Sequence, residues 1–579
     1  MKKTFISFTL CVLFAQSYSQ VSTKLRREST SKEEQNFIAP TSATTETALN
    51  SVGQSFPYPV IFIHGLGSSA DTWADFYNYA LAQGWGYGGW LKFCLNSDEN
   101  NYISNITGSQ SDVTDFTANV EAADFYLVNF NVDADGTGYG SKSLTKTQSN
   151  QAAITKQGLA LKNAIKNVLK ATGRDKVILF GHSMGGLAAR EYLQNKVNWQ
   201  SDGQHHIAKL ITSGTPHGGS NSTAANLSSL AGGIDEKSDA VRDLRRSYFY
   251  SGKSGVYLYG GTENNSTMND FLISTFYNVD VNCNGVSGNL ITGLNQKSIF
   301  ADLDYACIVG KWILDITSTG DGVVDVKDAQ LKNFYPALTS ETFNISSNSI
   351  SRLHTRLTEY TSVNFQGLDE PDYFNLSYTV KPNTYYNGFI TYQAPDAETQ
   401  TDYDDYVFNV GQSQNVTITV DNINISDLGV SLFKSTNLQS AILSNRSTNR
   451  SKFTTNALYL TAGTYYLEVD GNATTDSWKY PYNFKINVPL TSPTVDVESL
   501  KISVYPNPAS EIVNVKLSDA APSVSTLILT DLLGKTVFKQ AITSIETELD
   551  ISAIPLGIYF VSIYRENEVV AKSRIVINR

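Results

Sequence analysis

Along the first two thirds of the chain, short apolar runs alternate with stretches of helical spacing. Pro59–Ile63, Phe125–Phe130, Lys176–Phe180, Ile207–Ser213 and Tyr305–Gly310 read as buried strands, because each is a brief apolar run with little polar interruption. Ala153–Lys170 and the segment from Gly186 to Leu193 keep the apolar spacing of helices. Strand–helix alternation from Phe56 to about Phe365 predicts a mostly parallel sheet covered on both faces, an α/β architecture. Between about 218 and 300 the alternation breaks, and Ser, Asn and Gly surround two aromatic clusters, Tyr248–Tyr250 and Tyr257–Tyr259. That stretch reads as a lid insertion between core strands, either a packed cap or a mobile cover.

After Glu370-Pro371 the periodicity changes to two. Asp402–Val410, Asn415–Val420 and Ala462–Val469 alternate polar and apolar positions between turns, which predicts an all-β sandwich over 371–490. A linker at 491–499 precedes a second β domain over 500–579. Residues 20–55 are polar with little periodicity and read as a flexible lead-in. Residues 1–19 combine a lysine-containing start, an apolar run and small residues before Gln20, the pattern of a secretory signal peptide.

Composition narrows the partners. The chain has 579 residues, 41% of them apolar, and a net charge of −11 with no basic run, which argues against nucleic acid. No other run approaches membrane-spanning length, so no transmembrane segment is expected in the mature chain. Removal of the signal peptide leaves Cys94, Cys283 and Cys307, an odd number, so at least one thiol stays outside any disulfide. A Cys94–Cys283 bridge is left open, and Cys307 reads as a core residue.

The candidate chemistry centres on Gly181-His182-Ser183-Met184-Gly185, directly behind a predicted strand and ahead of a predicted helix. This is the context of a nucleophile elbow, in which a sharp turn lifts the serine hydroxyl above the sheet. His64-Gly65-Leu66-Gly67 follows the first strand, where a loop supplies an oxyanion donor; the two donors would be the N–H groups of Leu66 and Met184. The order serine, acid, histidine leaves His354 as the general base among His64, His182, His205, His206, His217 and His354. Asp321, in Thr319-Gly320-Asp321-Gly322-Val323-Val324 after a late strand, is the candidate acid because that loop is similar to the Asp-Gly-x-Val loop that carries the acid in bacterial lipases, with Asp325 and Asp315 in reserve. The same segment partly matches a calcium loop, although Thr317 and Thr319 occupy its first ligand positions. Asn131–Gly136 and Asp280–Gly285 are likewise incomplete calcium sets, and Asx-Gly turns explain them as well.

On His64–Gly67, Gly181–Gly186 and Ser213-Gly214-Thr215-Pro216-His217-Gly218-Gly219-Ser220, the chain resembles the secreted bacterial lipases of the α/β-hydrolase superfamily. The resemblance implies an α/β-hydrolase fold with a lid and a serine ester hydrolase acting on acylglycerols or related esters. Short-chain or polyester esterase, acyltransferase and a catalytically inactive adhesion or scaffold protein are the alternatives. No cofactor is required by that chemistry. These lipases often hold a structural calcium, partly through an aspartate two residues after the histidine, where this chain has Arg356. The strands at 402–410 and 462–469 resemble pre-peptidase C-terminal modules, whose acidic edges sometimes bind calcium. Val504–Ala509, Thr530–Lys535 and Pro555–Val561 are similar to the sorting domain read by the type IX secretion system. That resemblance implies the secretion machinery as a partner, and a secreted or cell-surface location reached through periplasm and outer membrane.

Overall fold

A computed structural model describes residues 56–95, 113–133, 135–137, 149–221, 234, 238–245, 256–263, 269–270, 275–276, 280–311, 320–336, 338, 343–351, 354–359, 367–391, 401–421, 425, 427–448, 451–472, 474, 477–489, 502–517, 525–532, 535–565 and 568–579. The signal peptide, the lead-in, Tyr248–Tyr250 and Asp315 lie outside these residues.

The hydrolase sheet has eight strands: β1 (Val60–Ile63), β2 (Tyr87–Cys94), β3 (Thr114–Asp115), β4 (Phe125–Asn129), β5 (Val177–His182), β6 (Ile207–Ser213), β7 (Asp304–Lys311) and β8 (Phe343–Ser351). Their spatial order is β8-β7-β6-β5-β1-β4-β2-β3, parallel throughout except for the short antiparallel β2–β3 edge. The central strands are buried along their whole length, which is why they read as unbroken apolar runs. Helices α1 (Ala74–Ala82), α2 (Ile154–Thr172) and α3 (Met184–Gln194) accompany the sheet. Gly173, with φ of +63°, closes α2 in the left-handed conformation that glycine tolerates.

The described part of the insertion packs as a cap. Its helices α4 (Asp239–Leu244) and α5 (Val256–Tyr259) bring Ala240, Val241, Leu244 and Leu258 against Leu66, Met184 and Leu187. Inside it, the fully buried Arg242 lies 3.1 Å from Asp239 and 2.8 Å from Asp243. Cys94, Cys283 and Cys307 are all buried and none is in a disulfide. Burial pushes the Cys283 thiol up to about 12.

The sandwich is two five-stranded sheets. Thr401–Val410 pairs Gly463–Asn472, which pairs Leu428–Lys434; facing them, Gln414–Asp421 pairs Tyr482–Asn487. This β module does not form a core of its own. Phe56, Trp85, Phe180 and Ile308 of the hydrolase belong to the same apolar cluster as Phe389, Ile390, Tyr406 and Phe484. Phe56 stacks on Phe389 with ring centres 5.5 Å apart, and Arg174 donates to the Tyr386 hydroxyl at 3.0 Å. By contact, the chain divides into Met1–Val488 and Pro489–Arg579. The second unit has a three-stranded and a four-stranded sheet around Val513, Val515, Leu527, Leu529, Val561 and Ile575. Among the described residues no helix is long and apolar enough to cross a membrane.

Candidate active site

Ser183 sits between the end of β5 and the start of α3 with φ of +53°, a conformation that L-residues rarely adopt. The turn is held because its neighbours leave no room to relax. A Cβ on Gly185 would lie 2.6 Å from the His64 carbonyl oxygen, and one on Gly181 would strike the backbone of Gly186. The Ser183 N–H donates to the Ser213 carbonyl at 2.8 Å, which ties the elbow to the end of the adjacent strand β6.

Three side chains distant in sequence meet at this turn. His354 Nδ1 lies 2.8 Å from Asp321 Oδ2, and His354 Nε2 lies 2.8 Å from Ser183 Oγ. An ionised carboxylate only accepts, so the imidazole proton sits on Nδ1 and Nε2 is left to accept the serine hydroxyl. The other oxygen of Asp321 accepts the N–H groups of Val323 and Val324 at 3.0 and 2.9 Å, so the carboxylate is fixed in place. All three residues are buried, Ser183 being 8% exposed. Asp325 lies nearby at the N-terminus of a short helix, and it is Asp321 that faces the imidazole.

Among the described residues no hydrogen bond engages the N–H of Leu66 or Met184. His64 orients the first of these peptides. Its Nδ1–H donates to the Gly65 carbonyl at 2.9 Å, while its Nε2 accepts the Phe130 N–H at 2.9 Å. A trans peptide sets C=O and N–H on opposite sides, so pinning the Gly65 oxygen turns the Leu66 N–H the other way. Burial lowers His64 to about 4, so the ring is neutral.

The remaining histidines have other partners. His205 and His206 pair with Asp302 and Asp202, and the fully buried His217 accepts from Arg190 at 3.1 Å. Desolvation, reinforced by the Arg190 charge, holds His217 well below its usual range. A cleft of about 480 Å³, open mouth included, lies over Ser183 and His354 and is lined mainly by Leu66, Pro216, Val241, Leu244, Val323 and Val324.

The Asp280–Gly285 loop, which looks like a calcium set, uses its carboxylate on backbone. Both carboxylate oxygens of Asp280 accept N–H groups, from Asn284 at 3.1 Å and Gly285 at 2.8 Å. Arg356 pairs with Glu359 at the surface. A different acidic group lies where hydrolase meets sandwich. Asp369, Asp402 and Asp404 are buried and offer carboxylate oxygens within 4.8 Å of one another. Asp369 Oδ1 and Asp404 Oδ1 have no hydrogen-bond partner among the described residues. Desolvation and mutual repulsion push both carboxyls well above the ordinary range, and burial takes neighbouring Glu370 to about 8. Hard oxygen donors with orphaned, buried lone pairs fit a divalent cation such as calcium. The Asp402-Tyr403-Asp404 alternation was the available signal, since period two puts both carboxylates on one face of a strand.

Residues 57–261 match the family profile described as a PGAP1-like alpha/beta domain. Residues 402–471 match the bacterial pre-peptidase C-terminal domain, and 503–578 the secretion system C-terminal sorting domain. No curated protein matches the chain. Similar solved structures include the lin2722 product of Listeria innocua, 15% identical, covering 53% of this chain and 90% of that one with a TM-score of 0.28. Another is the pre-peptidase C-terminal domain of a Bacillus anthracis collagenase, at 21% identity, 19% and 92% coverage and a TM-score of 0.15. A third is PorZ, a surface component of the type IX secretion system of Porphyromonas gingivalis, at 18% identity, 18% and 14% coverage and a TM-score of 0.13. The chain thus carries a PGAP1-like α/β-hydrolase domain, a pre-peptidase C-terminal module and a sorting domain that marks it for type IX export to the cell surface or beyond.

Proposed function

We propose that the protein is an exported serine ester hydrolase of lipase type, cleaving acylglycerols or related carboxylic esters through an acyl-enzyme. The observation that carries this reading is the unbroken relay from Asp321 through His354 to Ser183, with both bonds at 2.8 Å. Ser183 Oγ attacks the ester carbonyl as His354 Nε2 takes its proton, and the N–H groups of Leu66 and Met184 hold the developing oxyanion. His354 returns the proton to the leaving alcohol. Water then repeats the sequence on the acyl-enzyme and releases the carboxylic acid. Asp321 keeps the imidazole in the Nδ1–H tautomer and stabilises the imidazolium formed in each half.

The mainly apolar lining of the cleft, in which Ser220 and Arg245 are the polar members besides Ser183 and His354, supports an acyl chain as the bound group, because apolar walls gain from burying one. No step in this scheme needs a cofactor. A calcium ion held by Asp369, Asp402 and Asp404 would neutralise buried like charges and serve the structure alone.

The test is hydrolysis of p-nitrophenyl esters from acetyl to palmitoyl by the wild type and by Ser183→Ala. Ser183-dependent turnover is the expected result, with medium or long chains preferred. Preference for acetyl would make it a short-chain esterase, and absence of turnover on every chain would overturn the proposal.

A further inference from the structure

His182 stands immediately before the nucleophile, and its ring reaches across to the turn that carries the base. His182 Nε2 lies 3.0 Å from the backbone carbonyl oxygen of His354. A carbonyl oxygen offers only lone pairs, so the proton must be on Nε2. Nδ1 is then a bare lone pair, and it has no partner among the described residues. Burial, with repulsion from His354, lowers this histidine to about 3, so it stays neutral at any working pH.

What it grips is a weakly self-supported element. His354 opens a three-residue 3-10 turn, His354–Arg356, in which the Leu357 N–H donates to the His354 carbonyl at 3.3 Å; short turns of this kind have poorer hydrogen-bond geometry than an α-helix. Among the described residues, the bonds from outside to the backbone of this turn and of the residue after it include three. The His354 N–H donates to the Asp321 carbonyl at 3.1 Å, and the Ser213 hydroxyl donates to the Leu357 carbonyl at 3.0 Å. The third is the bond from His182, and it alone comes from the residue next to the nucleophile.

We propose that His182 is a positioning residue for the general base: its Nε2–H fastens the His354 carbonyl to the strand end that bears Ser183. The separation of base and nucleophile is thereby set one peptide bond from the nucleophile itself. This inference rests on the ester-hydrolase reading of the same site. His182 does not line the cleft, so it acts on alignment rather than on substrate binding.

Its ring also packs, 4.9 Å from the His354 ring and 6.4 Å from that of Trp73, so the test must separate hydrogen bond from bulk. Phenylalanine keeps the bulk and loses the donor. Glutamine places an N–H the same number of bonds from Cα as Nε2, whereas asparagine reaches only as far as Nδ1. On p-nitrophenyl butyrate, His182→Phe and His182→Asn should lower kcat about 10- to 100-fold, as an ångström-scale misalignment does, with KM within about twofold of wild type. His182→Gln should recover most of the loss. Covalent labelling of Ser183 by a fluorophosphonate should slow by the same factor as kcat, with thermal melting confirming that each variant is folded.

Wild-type kcat in folded His182→Phe and His182→Asn would overturn the proposal, as would a Gln variant no better than Asn. If the Phe variant fails to fold, the Gln–Asn comparison decides. Turnover that disappears with Ser183→Ala yet ignores His182 sinks this inference alone. Turnover that survives Ser183→Ala sinks the ester-hydrolase reading and this inference with it.

Discussion

His64 makes stability depend on pH chiefly through burial, with the hydrogen bond to Gly65 acting the other way. Its folded pKa of about 4 lies below the ordinary 6.5, so the unfolded chain binds the extra proton first as pH falls. The stability it contributes is complete above pH 6.5 and is lost as pH falls towards 4, up to about 3 kcal/mol over that window. The urea stability of wild type relative to a folded His64→Gln variant should fall between pH 6.5 and 4, the comparison cancelling the buried carboxyls, such as Glu370 at about 8, whose raised values act in the opposite direction. At Asp321 the expected outcome concerns rate. Asp321→Asn should keep the fold but free the imidazole to take the wrong tautomer, lowering kcat by about 10⁴-fold. Near-wild-type kcat in that variant would show that another carboxylate orients His354.

Among elements, the elbow was legible because its requirements are local: a buried strand, two glycines and a helix within about fifteen residues carry the whole signal. His354 is reachable by the order of the triad along the chain, whereas order leaves Asp315, Asp321 and Asp325 open and only the similarity of its loop to that of the lipases favours Asp321. The role of His182 was not legible, because nothing in Gly181–Gly185 says which carbonyl its ring will meet. The elbow also predicts its own fragility. Gly185→Ala would set a methyl 2.6 Å from the His64 carbonyl, so either β1 or α3 must shift. Esterase activity should fall by more than about tenfold even where circular dichroism is unchanged, since small displacements at the reacting atoms are amplified in rate. In the cap, Arg242→Leu would leave Asp239 and Asp243 buried without their guanidinium. Breaking such a pair costs about 3–5 kcal/mol, read as a lowered urea midpoint.

For the whole molecule, the sequence suggested a catalytic head, a β-sandwich and a sorting domain in series. Periodicity marks where strands change character, yet it is silent on which apolar residues of different modules will share a core. Phe56, Trp85 and Phe389 look like ordinary interior residues of their own segments, and they pack on one another. The acidic group at that junction was half legible for the same reason: Asp402 and Asp404 alternate visibly, while Asp369 arrives from another segment. If calcium binds there, EDTA should lower the melting temperature of the 1–488 unit and added calcium should restore it. Calcium at a hundredfold its Kd would add about 2.7 kcal/mol, and Asp404→Asn should abolish the response. Equal melting temperatures with EDTA and with calcium would remove the ion from the account.

The shared core around Phe389 also decides what can be transplanted. Cut at 370, the hydrolase would bare Phe56, Tyr58 and Trp85 to water, a patch that invites aggregation. Head and sandwich therefore form a single packed cassette. The export address, folded around its own core beyond residue 488, is the portable piece. Grafted behind an unrelated cargo, it should travel alone, whereas a head stripped of its sandwich should not survive the journey.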